Sequence, residues 1–299
     1  MDNNHAPYIP HSLYEQGDLL NRPFECFDFD SEANKFPVKP HWHHYMELIF
    51  LLDGSARMCD ASNEYILAPG DLIVFHPKAL HSIYSADGKP VRFYGIKLDI
   101  SRMNTTASYS PKLRSIFRYA EKKNTRIKLT ADQLKGLEIE KIFRRCIDEC
   151  AAQRYGYDVI IRSEIYRLLI EILRIWQNDG FVIDSEAFIE DSVYDIFSVT
   201  EYIDNNLSAR IKVSDIAAAC GMSYSYFAKK FLAVYGKTCK EYIEEVRICK
   251  AEEFLMFTDF DLTYISQETG FSDCSHMIRS FKQAMGVTPK QYRLRRDNG

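Results

Sequence analysis

The chain has 299 residues, 46% apolar and 27% charged, and its net charge of −4 argues, as an average, against a uniformly basic nucleic-acid binder. With 13 Gly and 10 Pro it has neither a disordered nor a collagen-like composition. The longest aliphatic and aromatic run, Leu48 to Leu52, is too short to span a membrane, and the N-terminus lacks the basic start and apolar core of a signal peptide.

Eight cysteines without paired spacing read as reduced thiols of a cytoplasmic protein. Residues 1–20 read as an arm. From 22 to 100, short apolar runs alternate with turn residues. Phe24 to Phe29 alternates in twos, and Glu47 to Leu52 is a buried run ending at Gly54. Ser55 to Cys59, Tyr65 to Leu67, Leu72 to Phe75 and Val91 to Leu98 follow. Strands at this spacing predict a sandwich or barrel. Carried along residues 41–51, the two-residue period puts His41, His43, Tyr45, Glu47, Ile49 and Leu51 on one face. Asp71, after Pro69-Gly70, reads as a turn former.

The period changes after residue 111. Leu134, Leu137, Ile142, Phe143, Cys146, Ile147 and Cys150 recur at three- and four-residue steps, which predicts an amphipathic helix. Cys146 and Cys150, one turn apart, read as core packing in preference to a redox or metal pair. A second helix is predicted from Asp158 to Trp176. Its apolar face, from Ile161 through Ile165, Leu169 and Leu173, is wider than one side of a monomer needs, which predicts dimerisation. Asn178-Asp179-Gly180 stops it. The acidic, weakly patterned residues 179–193 read as a linker.

The last third contains a duplication. Phe231, Gly236, Thr238, Lys240 and Tyr242 recur fifty residues later as Phe281, Gly286, Thr288, Lys290 and Tyr292. Upstream, the segment ending at Gly221 matches the one ending at Gly270. Each copy reads as helix, glycine turn, helix. Ser214 and Thr263 are placed to cap the first helices, Gly221 and Gly270 to end them with positive φ, and Ser223 and Ser272 to open the second helices. That is a helix-turn-helix, whose second helix can enter a major groove. Lys240 to Met256 reads as the helix joining the copies. Charge agrees locally: Ser223 to Lys240 and Cys274 to Arg296 hold cations and no acid.

The stretch from Gly270-Phe271 to Phe281-Lys282, followed by Gly286 through Tyr292-Arg293, resembles the signature of AraC/XylS transcription regulators. One departure is Met277, where the family usually carries Phe or another large apolar residue. The resemblance implies two helix-turn-helix units whose second helices read bases through exposed residues. By position these are Tyr224, Ser225, Ala228 and Lys229 in the first unit, and Cys274, Ser275, Ile278 and Arg279 in the second. Lys230 and Lys282 are placed for phosphate, and Phe227, Phe231, Met277 and Phe281 for the core.

In the N-terminal half, His41-x-His43-x3-Glu47-x6-Gly54 has the spacing of the first cupin motif, and Pro69-Gly70-Asp71 with Pro77-x3-His81 supplies part of the second. His76 and Ala79 depart from it, standing where the enzyme motif has Pro and Gly. The region is similar to the sensory cupin of AraC-type regulators. Three readings of His41, His43, Glu47 and His81 stand open: a divalent-metal site, the lining of a pocket for a small polar ligand, or hydrogen bonding across the barrel mouth. The ligand pocket is the reading adopted, with no resident metal or other cofactor; any metal would take this quartet.

The expected fold is an α+β multidomain chain. A cupin-like β-barrel with its arm occupies 1–110, a helical dimerisation segment 111–178, a linker 179–193, and an all-α domain with two helix-turn-helix units 194–299. The expected function is a cytoplasmic homodimeric regulator, not an enzyme. It binds a duplex DNA operator, responds to a small-molecule effector in the barrel, for which the resemblance implies a sugar or related metabolite, and works with RNA polymerase away from membranes. The competing class is a metal-dependent cupin isomerase or dioxygenase with a helical appendage.

Overall fold

In the computed structural model, which describes residues 13–15, 23–103, 113–189 and 199–297, the apolar run after Tyr45 is strand β3 (Met46–Asp53). From Leu48 to Leu52 it reads as continuously apolar because both faces are covered. Ile49 and Leu51 join the core between two sheets, while Phe50 stacks on Phe143 of a covering helix, centroids 5.8 Å apart. One antiparallel sheet has the order β1 (Phe24–Asp30), β8 (Arg92–Leu98), β3, β6 (Leu72–Phe75), β9 (Lys128–Leu129). The other has β2 (Val38–His41), β7 (His81–Ser85), β4 (Ala56–Cys59), β5 (Glu64–Leu67). Side chains of both sheets, among them Ile49, Met58, Phe75, Ile83 and Phe93, fill the space between them.

Sequence periodicity misses β2 and β7. β2 contains Pro40 and sits at a sheet edge, where a missing N–H is tolerated, and β7 is short and polar. The single face expected for residues 41–51 is also interrupted. β2 ends at His41, residues 43–45 turn a corner between the sheets, and β3 begins at Met46. Asp71 lies at a turn, accepting from the amides of Ala68 (3.0 Å) and Ala131 (2.9 Å), with Lys128 Nζ 3.0 Å away.

Helices α1 (Leu113–Lys122), α2 (Ile139–Ala152) and α3 (Tyr157–Asn178) follow. Leu134 and Leu137 precede α2 in a turn, a correction to the expected helix. Cys146 is buried, and Cys26 on β1 hydrogen-bonds both Cys146 and Cys150, so three thiols meet between β1 and α2. The wide apolar face of α3 needs no second chain. Leu169 is 0% and Leu173 5% exposed in the single chain; α2 packs alongside α3, and Phe117 of α1 meets Trp176 edge-on. What α3 leaves outward is a thinner strip with Val159 and Ile170. Part of the expected linker is helical: α4 (Ser185–Ile189), whose first turn is held by Asp184. Arm residues 1–12 and 16–20 and linker residues 190–193 lie outside the described residues.

The chain divides at this point, Met1–Glu190 from Asp191–Gly299. The second unit holds α5 (Val199–Asn205), α6 (Val213–Ala219), α7 (Tyr224–Tyr235), α8 (Cys239–Phe257), α9 (Leu262–Glu268), α10 (Cys274–Met285) and α11 (Pro289–Asp297). Phe227, Phe231, Met277 and Phe281 are all fully buried. The repeated threonines open α8 and α11. The Glu241 amide donates to Thr238 Oγ1 while Glu241 accepts from the Thr238 amide, and Thr288 and Gln291 repeat the exchange. Three capping expectations fail. Lys212 precedes α6 without a side-chain cap, Asp261 rather than Thr263 caps α9, and Asp273 rather than Ser272 caps α10. In both α9 and α10 the aspartate next to the turn accepts from the backbone N–H three residues ahead, that of Tyr264 at 2.8 Å and that of His276 at 2.7 Å. Ser223 caps α7 as expected.

Candidate functional site

The four residues spaced along the sequence converge between the sheets. His41 ends β2 opposite His81, the first residue of β7, while His43 lies in the corner and Glu47 on β3. One ligand atom from each lies within 4.8 Å of all the others. Glu47 Oε2 is shared, 3.0 Å from His43 Nε2 and 2.8 Å from His81 Nε2. All three rings are oriented from behind, because each Nδ1 faces a backbone carbonyl: Lys39 at 2.9 Å, Tyr45 at 3.1 Å and Ala79 at 2.8 Å. A carbonyl only accepts, so each Nδ1 carries the hydrogen and a neutral ring turns a bare Nε2 toward the centre.

Charge follows from this geometry. Burial alone would raise the Glu47 carboxyl, but hydrogen bonding with His43 and His81, aided by Lys97, holds it well below the usual carboxylate range. Burial and the neighbouring His81 lower His41. At these distances the Glu47 carboxylate meets each Nε2 through a hydrogen where the nitrogen carries one, and through a bound cation where it does not. The donor set, three imidazoles and a carboxylate held by outer hydrogen bonds, fits a first-row divalent metal. Such an ion would supply a Lewis-acid anchor for an oxygen-bearing ligand.

Two neighbours were not anticipated. Glu15 Oε2 lies 2.7 Å from Lys97 Nζ and 3.5 Å from His41 Nε2, and Lys97 pairs across the sheet with Glu47. The segment carrying Glu15 is held by backbone bonds to Trp42 and by Tyr14 against Trp42, at 4.8 Å between centroids. Of the departures from the cupin motif, Ala79 supplies the carbonyl that orients His81. His76 is buried toward Trp176, 6.2 Å between centroids.

In the second unit α7 and α10 each end a helix-turn-helix. Family models match both regions: an AraC-like ligand binding domain over residues 23–169 and a helix-turn-helix domain over 216–295. The chain belongs to the AraC-type family of DNA-binding transcription regulators. Its relatives include YbfI, an HTH-type transcriptional regulator of Bacillus subtilis, 26% identical over 85% of each chain. The Msm operon regulatory protein of Streptococcus mutans is 22% identical over 94% of this chain and 96% of its own. Apo ToxT of Vibrio cholerae aligns over 92% of this chain and 98% of its own at 14% identity, with a TM-score of 0.37. An AraC-type chain is a regulator, so the cupin-enzyme alternative is set aside. No helix among the described residues is long and apolar enough to cross a membrane.

Against AraC-type expectations, the DNA-facing residues divide. Tyr224, Ser225 and Lys229 on α7 and Ser275, Arg279 and Lys282 on α10 are exposed. Ala228 and Lys230 are half-buried. Cys274 and Ile278 pack against the second core and offer less surface than an outward position implies. In the acid-free run near the C-terminus, Arg293 donates to the Phe260 carbonyl, and the side chains of Arg295 and Arg296 lie outside the described residues. The expectation passed over Tyr226, 58% exposed, and Leu232, 48% exposed. A helical wheel with Phe227 and Phe231 inward would have turned both outward.

Proposed function

We propose that this regulator takes its effector among His41, His43, Glu47 and His81, and that occupancy shifts the population of DNA-binding arrangements. The observation that supports this most is the convergence of three back-oriented imidazoles on one buried carboxylate. A buried polar cluster of this kind suits a small ligand rich in hydroxyl or carboxylate oxygens, such as a sugar or related metabolite, bound directly or through a divalent ion. The effector must bind one arrangement better than the other to shift the balance. His43→Ala, Glu47→Ala and His81→Ala are expected to abolish the effector's change in operator affinity while effector-free DNA binding stays within about twofold. Operator titrations with and without effector check this. An unchanged dose–response in all three variants would move the pocket elsewhere, with the cleft of about 680 Å³ lined by Lys123, Arg126, Trp176, Asp179 and Phe181 as the next place to test.

The reading extends to a cytoplasmic homodimer that contacts RNA polymerase. With Leu169 and Leu173 committed to their own core, dimerisation is assigned to the outward strip of α3 with Val159, 63% exposed, and Ile170, 37% exposed. Sedimentation of wild type at micromolar concentration is expected to show dimer, and Val159→Lys with Ile170→Lys a folded monomer. A monomeric wild type would end this assignment. Tyr224, Ser225, Ala228, Lys229 and Lys230, with Cys274, Ser275, Ile278, Arg279 and Lys282, remain the proposed DNA contacts.

A further inference from the structure

The two helix-turn-helix units follow one plan, so residues fifty apart share a place, yet the outward faces of α7 and α10 differ in chemistry. On α7, burying Phe227 and Phe231 turns Ser225, Tyr226, Lys229, Leu232 and Ala233 to solvent. Tyr226 and Leu232 keep 58% and 48% of their surface exposed, and the Lys230 ammonium lies 5.8 Å from the Tyr226 ring. On α10 the corresponding places hold His276 and Lys282. His276 turns back toward Ser272 Oγ (3.2 Å) and Glu244 (3.8 Å), leaving Ser275, Arg279, Lys282 and Gln283 outward. One face is aromatic and aliphatic beside Lys229 and Lys230, and the other is cationic and polar without an exposed apolar side chain at the matching places.

In the major groove the apolar group on a base edge is the C5-methyl of thymine, whereas guanine presents O6 and N7, which match an arginine fork. An exposed tyrosine and leucine on a groove-entering helix gain by covering such methyls. We propose that Tyr226 and Leu232 are specificity determinants that read thymine methyls, while the α10 face works through Arg279 and Lys282. This rests on the reading of α7 and α10 as groove-entering helices. It makes the two halves of each recognition site unlike, the half under α7 being thymine-rich.

The test uses the full chain. Wild type selects its best duplex from a random library, with a scrambled duplex as reference. Each thymine of the selected duplex is then replaced by deoxyuridine, which removes only the methyl. At one or more positions wild type is expected to lose about fourfold in affinity, the worth of one buried methyl. Tyr226→Ala and Leu232→Ala, both at exposed positions, are expected to bind the two duplexes alike there and to keep wild-type affinity for the scrambled duplex. Tyr226→Phe, which keeps the ring, and Arg279→Ala are expected to retain the methyl effect. A selected site without thymine, no methyl effect at any thymine, or an effect that survives in both alanine variants overturns the proposal and leaves DNA binding standing. A wild type that does not prefer the selected over the scrambled duplex overturns the underlying reading, and the proposal with it.

Discussion

Replacing Gly270 with alanine is expected to destabilise the C-terminal unit by about 2–5 kcal/mol, whereas Gly221→Ala, at the matching place in the repeat, costs about 1 kcal/mol. Both glycines take a positive φ, +64° at Gly221 and +76° at Gly270, so both substitutions carry the left-handed penalty. Only Gly270 is also crowded. A Cβ there would stand 2.0 Å from the Leu207 carbonyl oxygen and 2.9 Å from the Arg247 guanidinium, whereas at Gly221 nothing lies within 4 Å. The oxygen belongs to the backbone and cannot rotate away. The same guanidinium donates to the carbonyls of Leu207 (3.4 Å) and Ala209 (3.1 Å), so the intruding methyl also disturbs the bonds that tie α8 to the turn before α6. Hydrogen exchange over residues 199–297 checks the contrast. Both tryptophans, Trp42 and Trp176, lie in the other unit, so their fluorescence serves as the unperturbed control. Equal loss of protection in the two variants would show that crowding at Gly270 is relieved by movement.

The repeat was legible because its signals are local. A glycine that must end a helix, a threonine that exchanges hydrogen bonds three residues ahead, and a phenylalanine one turn further in each act within a dozen residues, so duplication preserves their spacing. The quartet was legible for a different reason. His41, His43 and Glu47 are brought together by a short corner and His81 by strand pairing, so their meeting survives even though the assumed continuous strand does not exist. What the chain could not reveal is what covers a surface. The width of the α3 face is written in its residues, but its burial against α2 and α1 is a tertiary fact, so width alone points to a partner where the chain covers the face itself. Tyr226 is legible too, since placing Phe227 and Phe231 in the core turns it outward, but it stands outside the places that the AraC-type pattern gives to base reading. Glu15 belongs to a segment with no periodicity, and its place beside His41 comes from a bridge to Trp42.

Acidification from pH 7 to pH 5 is expected to cost the N-terminal unit about 2 kcal/mol through His76 alone, and His76→Leu is expected to remove that loss. In the unfolded chain an imidazole takes its proton near pH 6.5, but burial holds folded His76 down to about 4. Between those values the unfolded chain binds a proton that the folded chain refuses, so stability is full above the upper value and falls as pH drops toward the lower. The whole window is worth about 3 kcal/mol. No counter-charge offsets the effect, since burial is the cause of the shift, and neither ring nitrogen has a hydrogen-bond partner among the described residues. Leucine therefore also removes a buried polar group beside Trp176, and stability at pH 7 is expected to rise. Other groups do not confuse the comparison. Glu47 is held well below the usual carboxylate range and releases its contribution at lower pH, while His41, also lowered, is present in both proteins and cancels. Urea unfolding followed by tryptophan fluorescence at pH 7 and pH 5 reads the N-terminal unit. Wild type should lose about 2 kcal/mol more than His76→Leu, and parallel losses would mean that His76 gains its proton inside the folded unit without the cost that burial implies.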